Sequence, residues 1–344
     1  MRAFLLSGYM KNHSKTQSEH PFAKYIRILG KGKTSSRSMT RLEAADAMSM
    51  ILNNQIADVQ LGAFLMLLRV KEESPEELAG FVDAVRHHIH PQQNIPVDLD
   101  WSSYAGKKKQ LPYYLLSCFL LAENGIRVYM HGTNGHTAGR LYTQQVLEYL
   151  NIPIANTWQE VSEQLTTNNF AYMPLQSLCP RLQDVINLRD TLGLRSPVHT
   201  LSRLLNPCGA DYSIQSIFHP SYAESHQRAA ELLNQKNAAV FKGEGGEIER
   251  RPEATCTVKR LTEGQLADDV WPKLLEGRQQ AATTLSIDEL KWVWRGEKKS
   301  EYAYHAIIGT TAIALKLLGK TDNQEQAIDL AKTYWEQRNK NTFI

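Results

Sequence analysis

Through roughly the first hundred residues the apolar positions recur at a helical period. The stretch SMTRLEAADAMSMILN sets Thr40 and Glu43 in capping-box spacing ahead of such a run, which predicts a helix start. DVQLGAFLMLLRV is apolar nearly all round, which predicts a buried helix with Asp58 as its N-cap. SPEELAGFVDAVRHHI has Ser74 as cap, Pro75 at the first helical position and Glu77 closing a second box. These segments predict a small all-helical domain over 21–95, preceded by an extension over 1–20. HPQQNIPVD, with two prolines, breaks the pattern and reads as a crossover linker.

From about Leu111 the pattern changes. IRVYMHG, NFAYMPL, YSIQSIF and AAVFKG read as strands; RLYTQQVLEYL, RLQDVINLRDTL and YAESHQRAAELLNQ between them read as helices. This alternation predicts an α/β domain over 96–344, with a mainly parallel central sheet flanked by helices. Ligands of such sheets sit beyond the carboxyl ends of the strands, here the loops after Met130, Pro174 and Phe241. EYAYHAIIGTTAIALKLLG and NQEQAIDLAKTYWEQ read as two closing helices.

Composition narrows the class. Of 344 residues, 42% are hydrophobic and 22% charged, an ordinary globular balance. No apolar run approaches the roughly 18 residues of a membrane span. MRAFLLSGYMKNHSK lacks a cleavage site behind a proper apolar core, so it reads as an extension and not a signal peptide. Cys118, Cys179, Cys208 and Cys256 are far apart with no CxxC, which points to reduced thiols and a cytoplasmic setting. The net charge of +3 hides an asymmetry: residues 1–41 carry nine Lys/Arg and one acid, Glu19. A basic arm on a mildly acidic body is the footprint of a polyanion partner.

Four stretches are candidates for chemistry. GKGKTSSR (30–37) ends like a phosphate loop, but Arg27 stands where that pattern needs its first glycine, so ATP binding is rejected. What remains is a cationic connection in which Lys31, Lys33 and Arg37 suit phosphate oxygens. In RHHIH, His87 and His88 are adjacent and point about 100° apart on a helix, which does not suit one metal ion. YMHGTNGHTAGR, with His131 and Arg140, is a glycine-rich turn between a strand and a helix, a candidate anion site. FKGEGGEIERRPE offers Glu244, Glu247, Glu249 and Glu253 to Mg²⁺, although an exposed charged hairpin is the simpler expectation.

Several of these stretches together resemble one family. LNNQIADVQLGAFLMLLRVKEESPEELAGF resembles the helical domain of anthranilate phosphoribosyltransferase and related pyrimidine nucleoside phosphorylases. LGLRSPVHTLSRLLNP resembles that family's LGxRTxFNxLGPLxNP segment, MHG its KHG, and FKGEGGEIERRPE its metal-binding Asp-Glu loop. The resemblance runs from about Tyr25 to the C-terminus. It implies a small α domain on a larger α/β domain, and a homodimer formed through the small one.

The departures carry as much information. The diphosphate-holding GTGGD loop is replaced by SSYAGKKK (102–109), followed by bulky QLPYYLL. Met130 replaces the KHG lysine, Gly246-Glu247 replaces Asp-Glu, and PLQSLCPRL lacks a histidine that the enzymes have; Arg195 matches the anthranilate-contacting arginine. This pattern resembles a divergent paralogue group that has traded catalysis for nucleic-acid binding. That resemblance implies DNA or RNA bound without sequence preference, with no cofactor and no membrane partner. It assigns phosphate contacts to Lys31, Lys33, Arg37, Lys107, Lys108, Lys109, His131, Arg140, Arg189, Arg195 and Arg203. Tyr104, Tyr113 and Tyr114 are candidates for base stacking, with core packing as the simpler expectation. The alternative is a Mg²⁺-dependent phosphoribosyltransferase of altered substrate, using phosphoribosyl diphosphate and Glu244 and Glu247 as weak metal candidates.

Overall fold

Both predicted capping boxes close. Glu43 N donates to Thr40 Oγ1 at 3.2 Å and Thr40 N to Glu43 Oε2 at 2.8 Å. Glu77 N donates to Ser74 Oγ at 3.2 Å and Ser74 N to Glu77 Oε2 at 2.9 Å. Each box satisfies two of the amides that a helix start leaves unpaired, worth about 1 kcal/mol per cap. In the computed structural model, which describes residues 18–32, 34–89, 94–133, 135–277 and 284–343, they begin α2 and α4 of a helical domain. Its helices are α1 (Ala23–Gly30), α2 (Arg41–Leu52), α3 (Asp58–Lys71) and α4 (Pro75–His88).

Two expectations for α3 need correction. Its N-cap is Ala57, whose amide is taken by Gln60 Oε1 at 3.1 Å, so Asp58 is the first helical residue. The helix is not buried all round either. Leu61, Phe64, Leu65 and Leu68 enter the core, whereas Val59 and Val70 are 79% and 85% exposed. A four-helix layer covers only one stripe of each helix.

The strands are β1 (Leu99–Ser103), β2 (Val128–Gly132), β3 (Phe170–Pro174), β4 (Tyr212–Ile217), β5 (Asn237–Lys242), β6 (Cys256–Thr262) and β7 (Gln265–Trp271). They form one sheet in the order β3-β2-β1-β4-β5-β6-β7, parallel from β3 to β5 and antiparallel at β6 and β7. β1 was hidden in the sequence by its polar residues. Asp100, Ser102 and Ser103 are all buried in it.

Alternation along each strand feeds two cores. Trp101, Met130, Tyr172 and Ala239 pack with α5 (Tyr114–Glu123) and with α13–α15 (Asp288–Arg295, Glu301–Leu317, Gln324–Gln337). Tyr129, Ala171, Met173 and Ala238 join the core of the helical domain on the other face. That core also takes α7 (Trp158–Asn168) and α9 (Pro180–Asn187). Strands buried on both faces explain why they read as short continuous runs. The chain leaves β1 in one direction for β2 and β3, then returns for β4 and β5. The crevice where such a sheet takes ligands therefore lies at the carboxyl ends of β1 and β4. No helix among the described residues is long and apolar enough to cross a membrane.

Candidate functional site

The loop after β1 reaches the crevice first. Gly106 has φ +67°, and the Tyr142 ring lies 3.1 Å from where a Cβ would stand, so only glycine fits there. This turn aims two successive amides at one point, the arrangement that binds anions. A carboxylate already occupies that point. Ala105 N and Gly106 N both donate to Glu247 Oε1, each at 2.6 Å. Glu247 arrives from the loop after β5, where a Cβ on Gly243 would lie 1.7 Å from the Glu247 carbonyl oxygen. Burial raises the Glu247 pKa, against the lowering pull of Arg203 and the two amides.

Lys107 is closed in the same way. It is wholly buried, and its Nζ pairs with Glu249 Oε1 at 2.5 Å and with Glu244. Glu249 Oε2 accepts from Tyr114 N at 2.9 Å. Burial works against the charge of Lys107, yet the two carboxylates leave its pKa raised. Burial and the neighbouring Glu244 push Glu249 up to about 7 despite Lys107. Arg140 Nη1 ties the two loops together through the carbonyls of Ala105 (3.0 Å), Gly106 (2.8 Å) and Gly245 (3.0 Å).

The expected exposed hairpin at 241–253 is therefore a buried ionic plug. Glu247, Glu249 and Arg250 are wholly buried and Glu244 is 9% exposed. The lysine triplet is split. Lys107 turns inward, and only Lys108 and Lys109 are exposed. His131 is also corrected, since it lies wholly buried between Tyr104 OH, 2.7 Å from Nδ1, and Asp100, 3.4 Å from Nε2. Tyr104, Tyr113 and Tyr114 are core residues, no more than 3% exposed. The turn at 129–140 does not itself open a helix, because α6 (Thr143–Tyr149) starts beyond it with Tyr142 as N-cap.

Beside the plug lies a second charged region. Arg140, Arg189, Arg195 and Arg203 converge near His136 and His199, whose rings are 4.7 Å apart. Arg203 Nη1 donates to Ser216 O and Gly246 O, both at 2.8 Å, and Arg189 donates to His136 O. Arg195 Nη2 reaches Thr137 Oγ1 at 3.4 Å. None of the four forms an ion pair among the described residues. Burial and then the charges of Arg140, Arg203 and Arg189 bring Arg195 down to about 10. Burial, with Arg195 and Arg189 nearby, brings His136 down to about 4. Its neutral ring donates through Nε2 to Tyr104 O at 2.9 Å and accepts from Thr137 Oγ1 through Nδ1 at 2.9 Å. Sequence reading singled out the stretches that hold His136, Thr137 and His199 without naming any of the three as a site residue. The only signal for them was their closeness in the chain to Arg140 and Arg195.

The remaining candidates stand apart. Lys31 is exposed at the end of α1, Arg37 is bound to Glu43 by two 2.7 Å hydrogen bonds, and Lys33 lies outside the described residues. His87 and His88 are exposed at the end of α4. The described residues contain no group of three or more His, Cys, Asp or Glu able to hold a metal ion.

Comparison with known proteins places this geometry. Residues 23–89 match the glycosyl transferase family helical bundle domain, and residues 114–337 match its a/b domain. An uncharacterized Escherichia coli protein, YbiB, is 28% identical over 277 residues, covering 78% of this chain and 83% of that one. Anthranilate phosphoribosyltransferase of Sulfolobus acidocaldarius is 25% identical over 308 residues, covering 87% and 89%. The fold is shared with anthranilate phosphoribosyltransferase of Saccharomyces cerevisiae in complex with PRPP and Mg. The TM-score is 0.77 at 18% identity, over 93% of this chain and 94% of that one.

Proposed function

The chain belongs to the glycosyl transferase family, and within that family we propose a protein that binds DNA or RNA through phosphate contacts, with little sequence preference, in place of phosphoribosyl transfer. The observation that carries this reading is the Glu247 carboxylate seated on the amides of Ala105 and Gly106. The resemblance assigns that loop to the diphosphate of the substrate. An internal carboxylate fills it, and Lys107 is neutralised by Glu244 and Glu249.

The residues present do not fit Mg²⁺. Glu244 and Glu249 are bound to Lys107, and one oxygen of Glu247 is committed to two amides. Of the candidate cations, Lys108, Lys109 and Lys31 are exposed and Arg189 and Arg195 are half-buried. Phosphate contacts of this kind position a polymer and read no bases, so discrimination between sequences is small. The exposed apolar side chains Leu42, Val59 and Val70 on α2 and α3 support pairing with a second copy through the helical domain.

A second reading, phosphoribosyl transfer to an aromatic acid, is favoured by the arginine cluster around Arg195 and by the likeness to the anthranilate phosphoribosyltransferase of Sulfolobus acidocaldarius. Two titrations separate them. Under the first reading a labelled oligonucleotide binds and phosphoribosyl diphosphate with Mg²⁺ gives no heat. Tight heat-releasing binding of the diphosphate, with no oligonucleotide binding, overturns it.

A further inference from the structure

One face of the sheet ends in a recess that neither the plug nor the arginine cluster uses. Ile217 pairs with Lys242 across β4 and β5, Val240 with Lys259 across β5 and β6, and Lys259 with Asp268 across β6 and β7. Alternation therefore sends Val240, Lys242, Thr257 and Lys259 to one side. That side is covered by α12 (Tyr222–Leu232). Ile217, Ala223 and Val240 form a small apolar cluster under the helix, apart from the two main cores. Two residues beyond Val240, Lys242 is exposed.

A cavity of about 450 Å³ opens at this point. Ile217, Pro220, Ala223 and Ala254 give it an apolar wall. Its charged lining is Lys242, Arg251, Lys259 and Asp268. Arg251 is bound to Glu253 at 2.9 Å and Lys259 to Asp268 at 2.7 Å, so the acid in the lining is already paired. The Lys242 ammonium has neither hydrogen bond nor ion pair among the described residues. Thr255 and Thr257 also line the cavity, are exposed, and have hydroxyls without an internal partner among the described residues. Three accessible donors thus border one apolar recess. Small-molecule sites take this form, at roughly 300–1,000 Å³ with few polar groups.

We propose that this cavity binds a phosphate monoester carried on a small planar or apolar body. Lys242 Nζ and the hydroxyls of Thr255 and Thr257 would meet the phosphate, and the body would rest on Pro220 and Ala223. Three donors suit the three terminal oxygens of a monoester, whereas a carboxylate has two. The cavity is larger than a bare phosphate needs, which leaves room for the body. A diester within a strand needs an exit for each of its two arms, and the recess suits a ligand that ends there. The site does not depend on the function proposed above, which uses Lys108 and Lys109.

Calorimetric titration of the full chain with adenosine monophosphate tests this, beside adenosine and inorganic phosphate at equal ionic strength. Saturable binding of the monophosphate is expected, with weaker binding of inorganic phosphate and none of adenosine. Lys242→Met weakens the monophosphate at least about tenfold, and Thr257→Val about threefold. Both positions are exposed, and an unchanged Tm shows that each variant is folded. Lys236→Met, exposed just before the start of β5, binds as wild type does. The proposal is overturned if the monophosphate does not bind, or if adenosine or inorganic phosphate matches it. It is also overturned if Lys242→Met binds like wild type or if Lys236→Met loses as much. Loss of 5′-hydroxyl oligonucleotide binding in Lys242→Met would assign the lysine to the polymer and overturn it too.

Discussion

The plug and the arginine cluster are neighbours built from the same kinds of side chain, yet they end in opposite electrostatic states. In the plug Lys107 and the three glutamates have internal partners: Lys107 has Glu244 and Glu249, and Glu247 has two amides. In the cluster Arg140, Arg189 and Arg195 donate to carbonyls and a hydroxyl, and their charges remain uncancelled. A self-paired network holds a fold and offers nothing to a ligand. An uncancelled one lowers its own stability and attracts anions. The loop after β1 is thus a self-paired structural element, and the arginines beside it keep their charge.

The largest effect that can break this contrast is on stability. Lys107→Met strands two buried carboxylates and costs about 3–5 kcal/mol, read by urea denaturation. Lys108→Met, next to it but exposed, changes stability by no more than about 0.5 kcal/mol. Equal losses would mean that the triplet is not split.

Next comes binding. Replacing Lys108 and Lys109 together by Ala leaves stability intact and flattens the salt dependence of single-strand binding by about 1.4 in log–log slope, at about 0.7 per phosphate contact. Arg189→Ala with Arg195→Ala does the same if the cluster extends the track.

Glu247→Ala uncovers two amides and costs about 1–3 kcal/mol. Hydrogen exchange at Ala105 and Gly106 should then speed up while β1 itself stays protected; unchanged exchange would deny the carboxylate its role.

The smallest effect is on pH. The folded pKa of His136 is depressed, from 6.5 to about 4. Its stabilising contribution is therefore full above the unfolded value and is lost as pH falls from about 6.5 through 4. The stability gap between wild type and His136→Asn should narrow over that window, as followed by denaturation at several pH values. A gap that widens on acidification contradicts the assigned neutral ring.

Much of the fold was legible because its signals are local. Thr40 with Glu43 and Ser74 with Glu77 specify helix starts within four residues, and the runs at Tyr129, Phe170, Ile214 and Val240 lie in strands as read. β1 escaped because LDWSS has neither alternation nor a β-branched run, and its polar groups are buried only by the sheet around it. The plug escaped for a related reason. Four glutamates among arginines read as a solvated hairpin, and only the return of the chain from β5 to the β1 loop, some 140 residues apart, brings Glu247 and Glu249 to their partners. Arg195 was singled out through the LGLRSPVHTLSRLLNP stretch. His136 and His199 needed the fold.

The most direct test of the central claim is fluorescence anisotropy of a labelled single-stranded oligonucleotide, titrated with the full chain at several salt concentrations. The account predicts binding that weakens steeply and linearly in log–log form as salt rises, alike for unrelated sequences, with the slope reduced in the Lys108→Ala, Lys109→Ala protein. Absence of binding at low salt, or an affinity indifferent to salt and to those two lysines, would contradict it.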